Sequence, residues 1–325
     1  MINSIILGVG SKLPSKCLTN DCLAKMVDTS DEWIVQRTGI RQRYVLEPGQ
    51  VISALAAEAA KTAISNAGIS AHEIDLIIVA TTTPEKTFPS TAALVQEKLG
   101  TGNCAAAFDI NAVCSGFVYA LSIADSFIKT GQSQYALVIG CDAMSKIVDW
   151  NDRSTCVLFG DGAGAMVLGA KRFDTDESEK VGVVAARLFC DGKLSKILET
   201  SGGTSTTCNS GVIVMNGREV FKRSIEKMSM AVQMVLSKAG LATDQIDVLI
   251  PHQANARILN AVAERLGLDK SKMIDTVGDF ANTSAATIPI AWDYGLKKGI
   301  IRKNQNIVLT AMGGGVTWGA AVIRV

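Results

Sequence analysis

Short apolar segments alternate with longer segments of helical periodicity through the first half of the chain. Residues 74–80 and 136–140 are almost entirely apolar, and a strand of this kind is buried on both faces of a helix-flanked sheet. Residues 52–67 are rich in alanine and end at Gly68, which predicts a helix with a glycine cap. The pattern therefore predicts an α/β fold whose sheet carries helices on its faces.

The second half of the chain repeats the pattern of the first. Ala67-Gly68-Ile69 and Ala239-Gly240-Leu241 lie 172 residues apart, and each precedes an apolar strand that starts with Ile-Asp at the same spacing. Two further matches follow in the same order: Glu97-Lys98-Leu99-Gly100 with Glu264-Arg265-Leu266-Gly267, and Gly164-Ala165-Met166-Val167-Leu168 with Gly319-Ala320-Ala321-Val322-Ile323. Three ordered matches indicate two copies of one strand–helix unit.

A polar and charged stretch, residues 172–180, separates the two copies. We therefore predict an N-terminal half spanning 1–172 and a C-terminal half spanning 173–325. Beyond the boundary, residues 181–188 read as a strand. Residues 217–239 carry apolar side chains on one face, which predicts a long amphipathic helix.

The charge balance excludes several classes of partner. Of 325 residues, 32 are Lys or Arg and 31 are Asp or Glu, so no overall field attracts nucleic acid or an anionic membrane.

No apolar run is long enough to cross a bilayer, and the first residues lack the basic segment of a signal peptide. The eight cysteines include no Cys-x-x-Cys pair, which argues against a zinc site or a disulfide framework. We expect a cytoplasmic protein without a bound metal.

Cys114 lies where a predicted strand, residues 104–108, turns into an apolar helix that runs to Ile128. The first amides of a helix carry partial positive charge, which stabilises a thiolate. We therefore expect the pKa of Cys114 to be lowered, so that its thiol becomes a nucleophile. The alternative is a small cysteine that packs a tight junction, because free cysteine is among the most buried residue types.

The chain contains only two histidines, His72 and His252. His72 lies in a polar loop, which predicts a solvated side chain. His252 follows the predicted strand 246–250, at the carboxyl end where ligands bind in sheets of this kind. An offset of 168 residues equates Cys114 with Asn282, so we expect these two residues to begin the central helices of the two halves and to face each other.

Four segments resemble one enzyme family. They are Ala112-Val113-Cys114-Ser115-Gly116-Phe117, Pro251-His252-Gln253-Ala254-Asn255, Asn282-Thr283-Ser284-Ala285-Ala286 and Gly313-Gly314-Gly315-Val316-Thr317-Trp318-Gly319. Over essentially the whole chain they resemble β-ketoacyl-acyl-carrier-protein synthase III, the initiating condensing enzyme of bacterial fatty-acid synthesis. The resemblance implies a dimeric thiolase fold, with two duplicated pseudo-symmetric halves in five α-β-α-β-α layers.

The resemblance also implies a reaction. Cys114 would take a short acyl group, acetyl by expectation, from acyl-CoA and condense it with malonyl-acyl-carrier protein, with loss of CO₂. The product would be 3-oxoacyl-acyl-carrier protein, and no cofactor is required. His252 and Asn282 would complete the catalytic triad and donate to the enolate. The backbone amides of Cys114 and Gly314 would form the oxyanion hole, where a side chain at Gly314 would crowd the oxygen.

Further residues follow from the same resemblance. Coenzyme A would bind Trp33, Arg37, Thr38, Arg153, Gly217, Phe221, Ala254 and Asn255. Acyl carrier protein would bind Lys222, Gln253, Ala254, Asn255, Ala256 and Arg257. Phe88 would reach the acyl pocket of the partner in a homodimer. The chain departs from the family pattern at Ala281, where glycine is usual, and at Phe280, where tyrosine is common, which puts its acyl preference in doubt.

Three other functions remain open. A related acyltransferase of the same fold would pass the acyl group to an amine, an alcohol or another β-keto acid in secondary metabolism. A plant-type polyketide synthase shares the Cys-His-Asn triad, but its chain is longer and its motifs differ. A catalytically inactive binding or scaffold protein would need neither the intact triad nor the glycine triplet 313–315.

Overall fold

The computed structural model describes residues 2–102, 105–173 and 181–325. Its strands are β1 (Ile2–Lys12), β2 (Lys16–Thr19), β3 (Gln42–Val45), β4 (Leu76–Ala80), β5 (Ala106–Ile110), β6 (Tyr135–Ala143), β7 (Asp161–Arg172), β8 (Gly182–Cys190), β9 (Leu198–Thr200), β10 (Ile213–Met215), β11 (Val248–Pro251), β12 (Asn306–Gly313) and β13 (Thr317–Arg324). Its helices are α1 (Asn20–Leu23), α2 (Asp31–Thr38), α3 (Ile52–Ala67), α4 (Thr91–Leu99), α5 (Gly116–Lys129), α6 (Gly217–Ala239), α7 (Ala256–Leu266), α8 (Val277–Phe280) and α9 (Thr287–Lys297).

The helices and strands predicted from the pattern are present, with small shifts at their ends. Helix 52–67 is α3 and helix 217–239 is α6, and each ends at a glycine in the left-handed conformation. Strand 74–80 is β4, which begins two residues later than predicted. The strand predicted at 104–108 is β5, which begins at residue 106 and continues to residue 110, and residue 104 lies outside the described residues.

Two mixed sheets form the centre of the fold. The first has the strand order β1-β7-β6-β4-β5 and the second has the order β11-β12-β13-β8. In the first sheet β4 is parallel to β6 and β6 is antiparallel to β7, and β11, β12 and β13 repeat this arrangement in the second. The counterpart of β5 in the second sheet is reduced to a parallel bridge between Leu249 and Met273. The sheet topology is therefore duplicated, as the sequence repeat predicts.

Helices cover both sheets and fill the space between them. One core cluster joins α3 and α4 to the outer face of the first sheet, and another joins α6 and α7 to the outer face of the second. The middle cluster lies between the sheets and contains Phe117 and Leu121 of α5 and Trp292 of α9, all buried. This is the expected five-layer α-β-α-β-α arrangement of the thiolase fold.

Two short 3₁₀ turns lead into the central helices α5 and α9 and define the register of the duplication. They are Val113–Ser115 and Ser284–Ala286, 171 residues apart. Ala285 is therefore the counterpart of Cys114, and Asn111 is the counterpart of Asn282. The offset of 168 residues that equated Cys114 with Asn282 is wrong, because Asn282 precedes its turn whereas Cys114 lies inside the equivalent one.

Part of the expected boundary between the halves lies outside the described residues. β7 ends at Arg172 and β8 begins at Gly182, and residues 174–180 between them are not described. The division into 1–172 and 173–325 stays a prediction. Within the described ranges, no helix is both long enough and apolar enough to cross a membrane.

Candidate active site

Cys114 is fixed by the hydrogen bonds of its turn. The Asn111 carboxamide oxygen accepts a bond from the Val113 amide at 3.2 Å, which closes the start of the turn. The Ser115 hydroxyl donates to the Ala112 carbonyl oxygen at 2.8 Å, which closes its end. Cys114 lies between these bonds with 5% of its surface exposed. The turn thus places the thiol at the entrance to the central helix α5, as the sequence predicts.

Burial dominates the ionisation of Cys114. Desolvation raises the pKa of its thiol from 9.0 to about 12, with a smaller opposing effect from the Ser284 hydroxyl and a further raising effect from the Asp142 carboxylate. The prediction of a lowered pKa is therefore wrong for the free protein, because enclosure of the side chain outweighs the attraction of the helix amides. The free protein holds a thiol at neutral pH, so the nucleophile forms only when its proton leaves.

His252 directly follows β11 and is 2% exposed. Its amide donates to the Thr310 carbonyl oxygen at 2.8 Å, and its Nδ1 lies 2.8 Å from the Thr287 hydroxyl oxygen. Burial lowers the pKa of the imidazole from 6.5 to about 3. The ring is consequently neutral at neutral pH, and only one of its nitrogens carries a proton.

Asn282 is held by both its backbone and its side chain. Its amide donates to the Leu158 carbonyl oxygen, and its own carbonyl accepts from the Gly160 amide, both at 3.0 Å. Its carboxamide oxygen accepts from the Ser284 amide at 2.9 Å. Because a backbone N–H selects the oxygen of a carboxamide, Nδ2 is the group that is free to donate elsewhere.

The three residues of the predicted triad line one cavity of about 620 Å³. Cys114 comes from the turn before α5, His252 from the end of β11, and Asn282 from the loop before α9. Seven of the eight predicted coenzyme A residues line the same cavity: Trp33, Arg37, Thr38, Gly217, Phe221, Ala254 and Asn255. The cavity therefore joins a buried thiol to a wall that carries an indole ring and a guanidinium group.

The eighth predicted residue, Arg153, lies beside that wall. The guanidinium carbons of Arg37 and Arg153 lie 5.1 and 5.2 Å from the centre of the Trp33 ring. Arg153 does not line the cavity, and it also donates to the Asp28 carbonyl oxygen at 2.8 Å. An aromatic ring beside two cations is chemically suited to a flat base that carries phosphate groups.

A second cavity of about 380 Å³ meets the first at Cys114. Its apolar side chains include Met144, Ile147, Phe159, Leu198 and Ile213, and Gly314 also lines it. The thiol thus lies at the junction of a large cavity and a smaller, partly apolar one.

The glycine triplet 313–315 packs against the turn that holds Cys114. A Cβ atom built on Gly313 would lie 2.6 Å from the Cys114 amide nitrogen. A Cβ atom built on Gly314 would instead lie 2.8 Å from the Leu198 carbonyl oxygen. The residue that must lack a side chain beside the Cys114 amide is therefore Gly313, and the expectation that a side chain at Gly314 would crowd a substrate oxygen stays a prediction.

Comparison with known proteins decides the family. Residues 108–192 match the model of 3-oxoacyl-[acyl-carrier-protein (ACP)] synthase III, and residues 236–325 match the model of its C-terminal part. The β-ketoacyl-[acyl-carrier-protein] synthase III of Anaplasma marginale is 52% identical over 326 residues, covering 100% of both chains. The chain belongs to the β-ketoacyl-acyl-carrier-protein synthase III family. It is therefore an acyltransferase of the condensing type, with the thiolase fold.

Two further relatives agree with this assignment. The β-ketoacyl-[acyl-carrier-protein] synthase III of Caulobacter vibrioides is 53% identical, covering 99% of this chain and 100% of the relative. The crystal structure of 3-oxoacyl-[acyl-carrier-protein] synthase III from Aquifex aeolicus superposes with a TM-score of 0.93 at 48% identity, covering 99% of this chain and 100% of that one.

The carrier-protein residues expected for a synthase III separate into accessible and buried positions. Lys222 and Arg257 are exposed, and the Arg257 guanidinium carbon lies 5.4 Å from the centre of the Phe221 ring. Ala254, Asn255 and Ala256 are half-buried. Phe88, the residue expected to reach a partner subunit, is 83% exposed.

Gln253 does not lie on the surface of this synthase III. It is 1% exposed, and its Nε2 group donates to the Pro251 and Ile274 carbonyl oxygens at 2.7 and 3.1 Å. Its oxygen accepts from the Thr276 amide at 2.7 Å. The prediction of a carrier-protein contact is wrong for this residue, because its carboxamide is buried and bonded to the backbone.

Three polar residues of the synthase III site were not identified from the sequence: Asp142, Ser284 and Thr287. Asp142 is buried, and its carboxylate accepts from the Ala285 amide at 3.1 Å. Ser284 bonds the Asn282 side chain, and the Thr287 hydroxyl contacts the His252 ring. The sequence signal for the residues near Asn282 is the run Asn282-Thr283-Ser284 before α9, because such side chains bond the backbone of turns. No group of three potential metal ligands occurs in the part of the chain that the structure describes.

Proposed function

We propose that this enzyme transfers a short acyl group, acetyl in the first instance, from acyl-CoA to Cys114 and condenses it with malonyl-acyl-carrier protein. The products are 3-oxoacyl-acyl-carrier protein, CoA and CO₂. The observation that carries the proposal is the convergence of Cys114, His252 and Asn282 at the junction of two cavities. The larger cavity suits the coenzyme arm, and the smaller one suits a short acyl chain.

Acylation begins when the Cys114 sulfur attacks the thioester carbonyl. The bond between that carbon and the CoA sulfur breaks, and the thiol proton leaves with CoA. The thiol has a pKa of about 12 in the free protein, so proton loss accompanies the attack. The amides of Cys114 and Gly314 stabilise the oxyanion, and loss of one such donor typically costs ~10²–10³ in rate.

Condensation follows when malonyl-acyl-carrier protein enters and loses CO₂. The resulting enolate oxygen accepts hydrogen bonds from His252 Nε2 and Asn282 Nδ2. The low pKa of His252, about 3, supports this role, because a neutral ring donates a hydrogen bond without giving up its proton. The carbanion attacks the acyl carbonyl, and Cys114 leaves as a thiolate that takes up a proton. The scheme calls for no cofactor.

The residues around the cavity support the proposed binding of acyl carrier protein, CoA and a second subunit. Lys222 and Arg257 supply positive charge for an acidic carrier protein, and Trp33 with Arg37 and Arg153 supplies the site for the adenine and phosphates of CoA. We propose a homodimer in which exposed Phe88 reaches the partner's acyl pocket. The seven described cysteines are all free, which supports a reducing cytoplasm.

The proposal is tested by following an acyl label. The protein is incubated with radiolabelled acetyl-CoA, the labelled residue is mapped, and malonyl-acyl-carrier protein is then added to look for acetoacetyl product. We expect the label on Cys114 and its loss in Cys114→Ser, whereas Cys190→Ser, which alters an exposed cysteine, keeps it. Label retained in Cys114→Ser would rule out the nucleophile.

The second candidate function is a same-fold acyltransferase of secondary metabolism. It is favoured if Cys114 is acylated stably but malonyl-acyl-carrier protein is not decarboxylated. His252→Ala separates the two half-reactions, because we expect acylation to survive and condensation to fail.

The carrier-protein surface has its own test. We expect Lys222→Glu to raise the KM for malonyl-acyl-carrier protein without changing acylation by acetyl-CoA, because Lys222 is exposed and does not line the cavity. Lys238→Glu makes the same charge change in the last turn of α6 and is the matched control. Equal KM values for the two variants would contradict a role for Lys222.

A further inference from the structure

A polar group, the Thr287 hydroxyl, contacts the side of the His252 ring that carries Nδ1. Thr287 is the first residue of α9 and is 2% exposed. Its Oγ1 lies 2.8 Å from His252 Nδ1 and 2.9 Å from the Ser284 carbonyl oxygen. The second nitrogen of His252, Nε2, is the one that remains for the cavity that His252 lines. The Thr287 contact therefore bears on which nitrogen carries the proton.

A hydroxyl has one proton, so Thr287 donates to one of its two neighbours at a time. The Ser284 carbonyl oxygen already accepts a hydrogen bond from the Thr287 backbone amide. His252 Nδ1 is buried and has the shorter contact with the hydroxyl. Donation to Nδ1 requires that Nδ1 carries no proton, whereas in the opposite arrangement Nδ1–H donates to Oγ1 and the hydroxyl donates to the Ser284 carbonyl oxygen. The function proposed above selects the first arrangement, because it needs a donor at Nε2.

Because the ring is neutral, the state of Nδ1 also determines whether Nε2 carries the proton. Burial lowers the pKa of His252 to about 3, so the ring holds a single proton at neutral pH. If Nδ1 accepts from Thr287, that proton is on Nε2, which faces the substrates as a donor. This is the form that can stabilise an enolate oxygen, and the opposite tautomer would present a lone pair to it.

The same loop also orients Asn282. The Ser284 amide bonds the Asn282 carboxamide oxygen, and the Ser284 carbonyl bonds the Thr287 amide. Ser284 thereby ties the position of the Thr287 hydroxyl to the orientation of Asn282. The two donors expected at the enolate are thus positioned by one short segment, 282–287.

We propose that Thr287 is a positioning residue that holds His252 in the Nε2–H tautomer by donating its hydroxyl proton to Nδ1. The role of that tautomer in condensation rests on the function proposed above, but the tautomer itself is a property of the free enzyme. Thr287 does not touch the substrates in this scheme and acts only through His252.

The tautomer is measured by ¹⁵N and ¹³C NMR of the full-length enzyme labelled in histidine. Only two imidazoles are present, and His72→Gln identifies the signals of His252. We expect His252 in the free enzyme to show the Nε2–H form from pH 6 to pH 8. Thr287→Val removes the hydroxyl at nearly constant shape and should give a mixture of both tautomers, whereas Thr287→Ser keeps the hydroxyl and should restore the Nε2–H form.

The same variants are assayed in both half-reactions. We expect Thr287→Val to lower kcat for decarboxylation and condensation about 10–100-fold, the range known for the hydrogen-bonded partners of metal-bound histidines. Acylation of Cys114 by acetyl-CoA should stay within about twofold, and Thr287→Ser should recover condensation. A loss of both half-reactions with an unchanged tautomer would mean that Thr287 is only structural, and the proposal would be wrong.

An Nδ1–H signal for His252 in the unaltered enzyme would overturn the proposal without any variant. This measurement can refute the proposal even if Thr287→Val fails to fold. If the unaltered enzyme shows the Nε2–H form and Thr287→Val loses it, but the unaltered enzyme does not decarboxylate malonyl-acyl-carrier protein, the proposed function fails and the assignment of the tautomer to Thr287 stands.

Discussion

Asn111 and Asn282 make the same hydrogen bond in the two halves of the fold. Each carboxamide oxygen accepts from the amide two residues further along the chain, at 3.2 Å for Asn111 and 2.9 Å for Asn282. Only Asn282 lines the cavity that contains His252. The turn is thus present in both halves, and the proposed mechanism uses only the Nδ2 group of Asn282, as a donor to the enolate.

We predict that Asn282→Asp separates the two half-reactions. The aspartate keeps an oxygen for the Ser284 amide but replaces the donor at the enolate with a negative charge. Condensation should fall by about 10²–10³-fold, the cost of one lost oxyanion donor, while acylation of Cys114 persists. Single-turnover acylation and steady-state condensation measure the two effects.

Asn111→Asp is the matched control for the turn itself. Both substitutions preserve the acceptor, but Asn282 is 5% exposed whereas Asn111 is exposed, so Asn282→Asp should lower the thermal midpoint further because it buries a carboxylate. A condensation rate in Asn282→Asp equal to that of the unaltered enzyme would contradict the donor role of Nδ2.

The sequence predicts the elements of this fold better than the contacts between them. Hydrophobic periodicity and glycine caps located α3 and α6 to the residue, because both signals are local. The repeat predicted the duplicated sheets, and the end of a strand pointed to His252. The register of the second turn was missed by three residues, since short loops differ in length between the copies.

Burial and contacts between distant segments account for the remaining errors. The pKa of Cys114 depends on enclosure by several elements, and the local pattern shows only the start of a helix. Gln253 lies in a segment that resembles the family, yet its carboxamide is bonded to backbone 21 and 23 residues away. Thr287 contacts a histidine 35 residues earlier, a pairing that no periodicity encodes.

The raised pKa of Cys114 predicts a particular pH dependence of alkylation. Since the thiol ionises near pH 12, its reaction with iodoacetamide should accelerate about tenfold per pH unit between pH 7 and pH 9 without levelling. Cys22 is the internal comparison, because the Thr19 hydroxyl lowers the pKa of its thiol, and its rate should level at lower pH. Mass spectrometry of each peptide gives both rates, and a plateau for Cys114 near pH 7 would contradict the burial effect.

Burial of neutral His252 predicts a loss of stability in acid. The pKa is about 3 in the folded protein against an ordinary 6.5, so between these values the unfolded chain binds a proton that the folded chain does not. The free energy of unfolding should therefore fall as the pH drops below 6.5, by about 1.4 kcal/mol per pH unit from this residue. Urea unfolding at pH 6.5 and pH 4.5 measures the change.

His252→Gln removes this contribution, so its stability should depend less steeply on pH than that of the unaltered enzyme. His72→Gln is the control, because His72 is exposed. The difference between the slopes of the two variants isolates His252. Identical slopes would mean that His252 is protonated in the folded protein at pH 4.5.

Ala281 adopts a backbone conformation that favours glycine, with φ 57° and ψ −162°. A non-glycine residue in this region costs of order 1–3 kcal/mol. Its methyl group is buried at 1% exposure in a cluster with Ile34, Ile40 and Phe159, and Ala281 is not among the described residues that line either cavity. The methyl therefore bears on stability more than on the acyl pocket, which answers the doubt raised by the departure from glycine.

We predict that Ala281→Gly costs less stability than Ala285→Gly. Both alanines are 1% exposed and lie four residues apart, and each loses about 1–2 kcal/mol from a buried methyl and a more flexible unfolded chain. Only Ala281→Gly also relieves a strained backbone, so its free energy of unfolding should exceed that of Ala285→Gly by about 1–3 kcal/mol. Urea unfolding of both variants measures the difference. Equal losses would show that Ala281 is unstrained, and a changed preference among short acyl-CoA substrates in Ala281→Gly would show that its methyl does act on the acyl pocket.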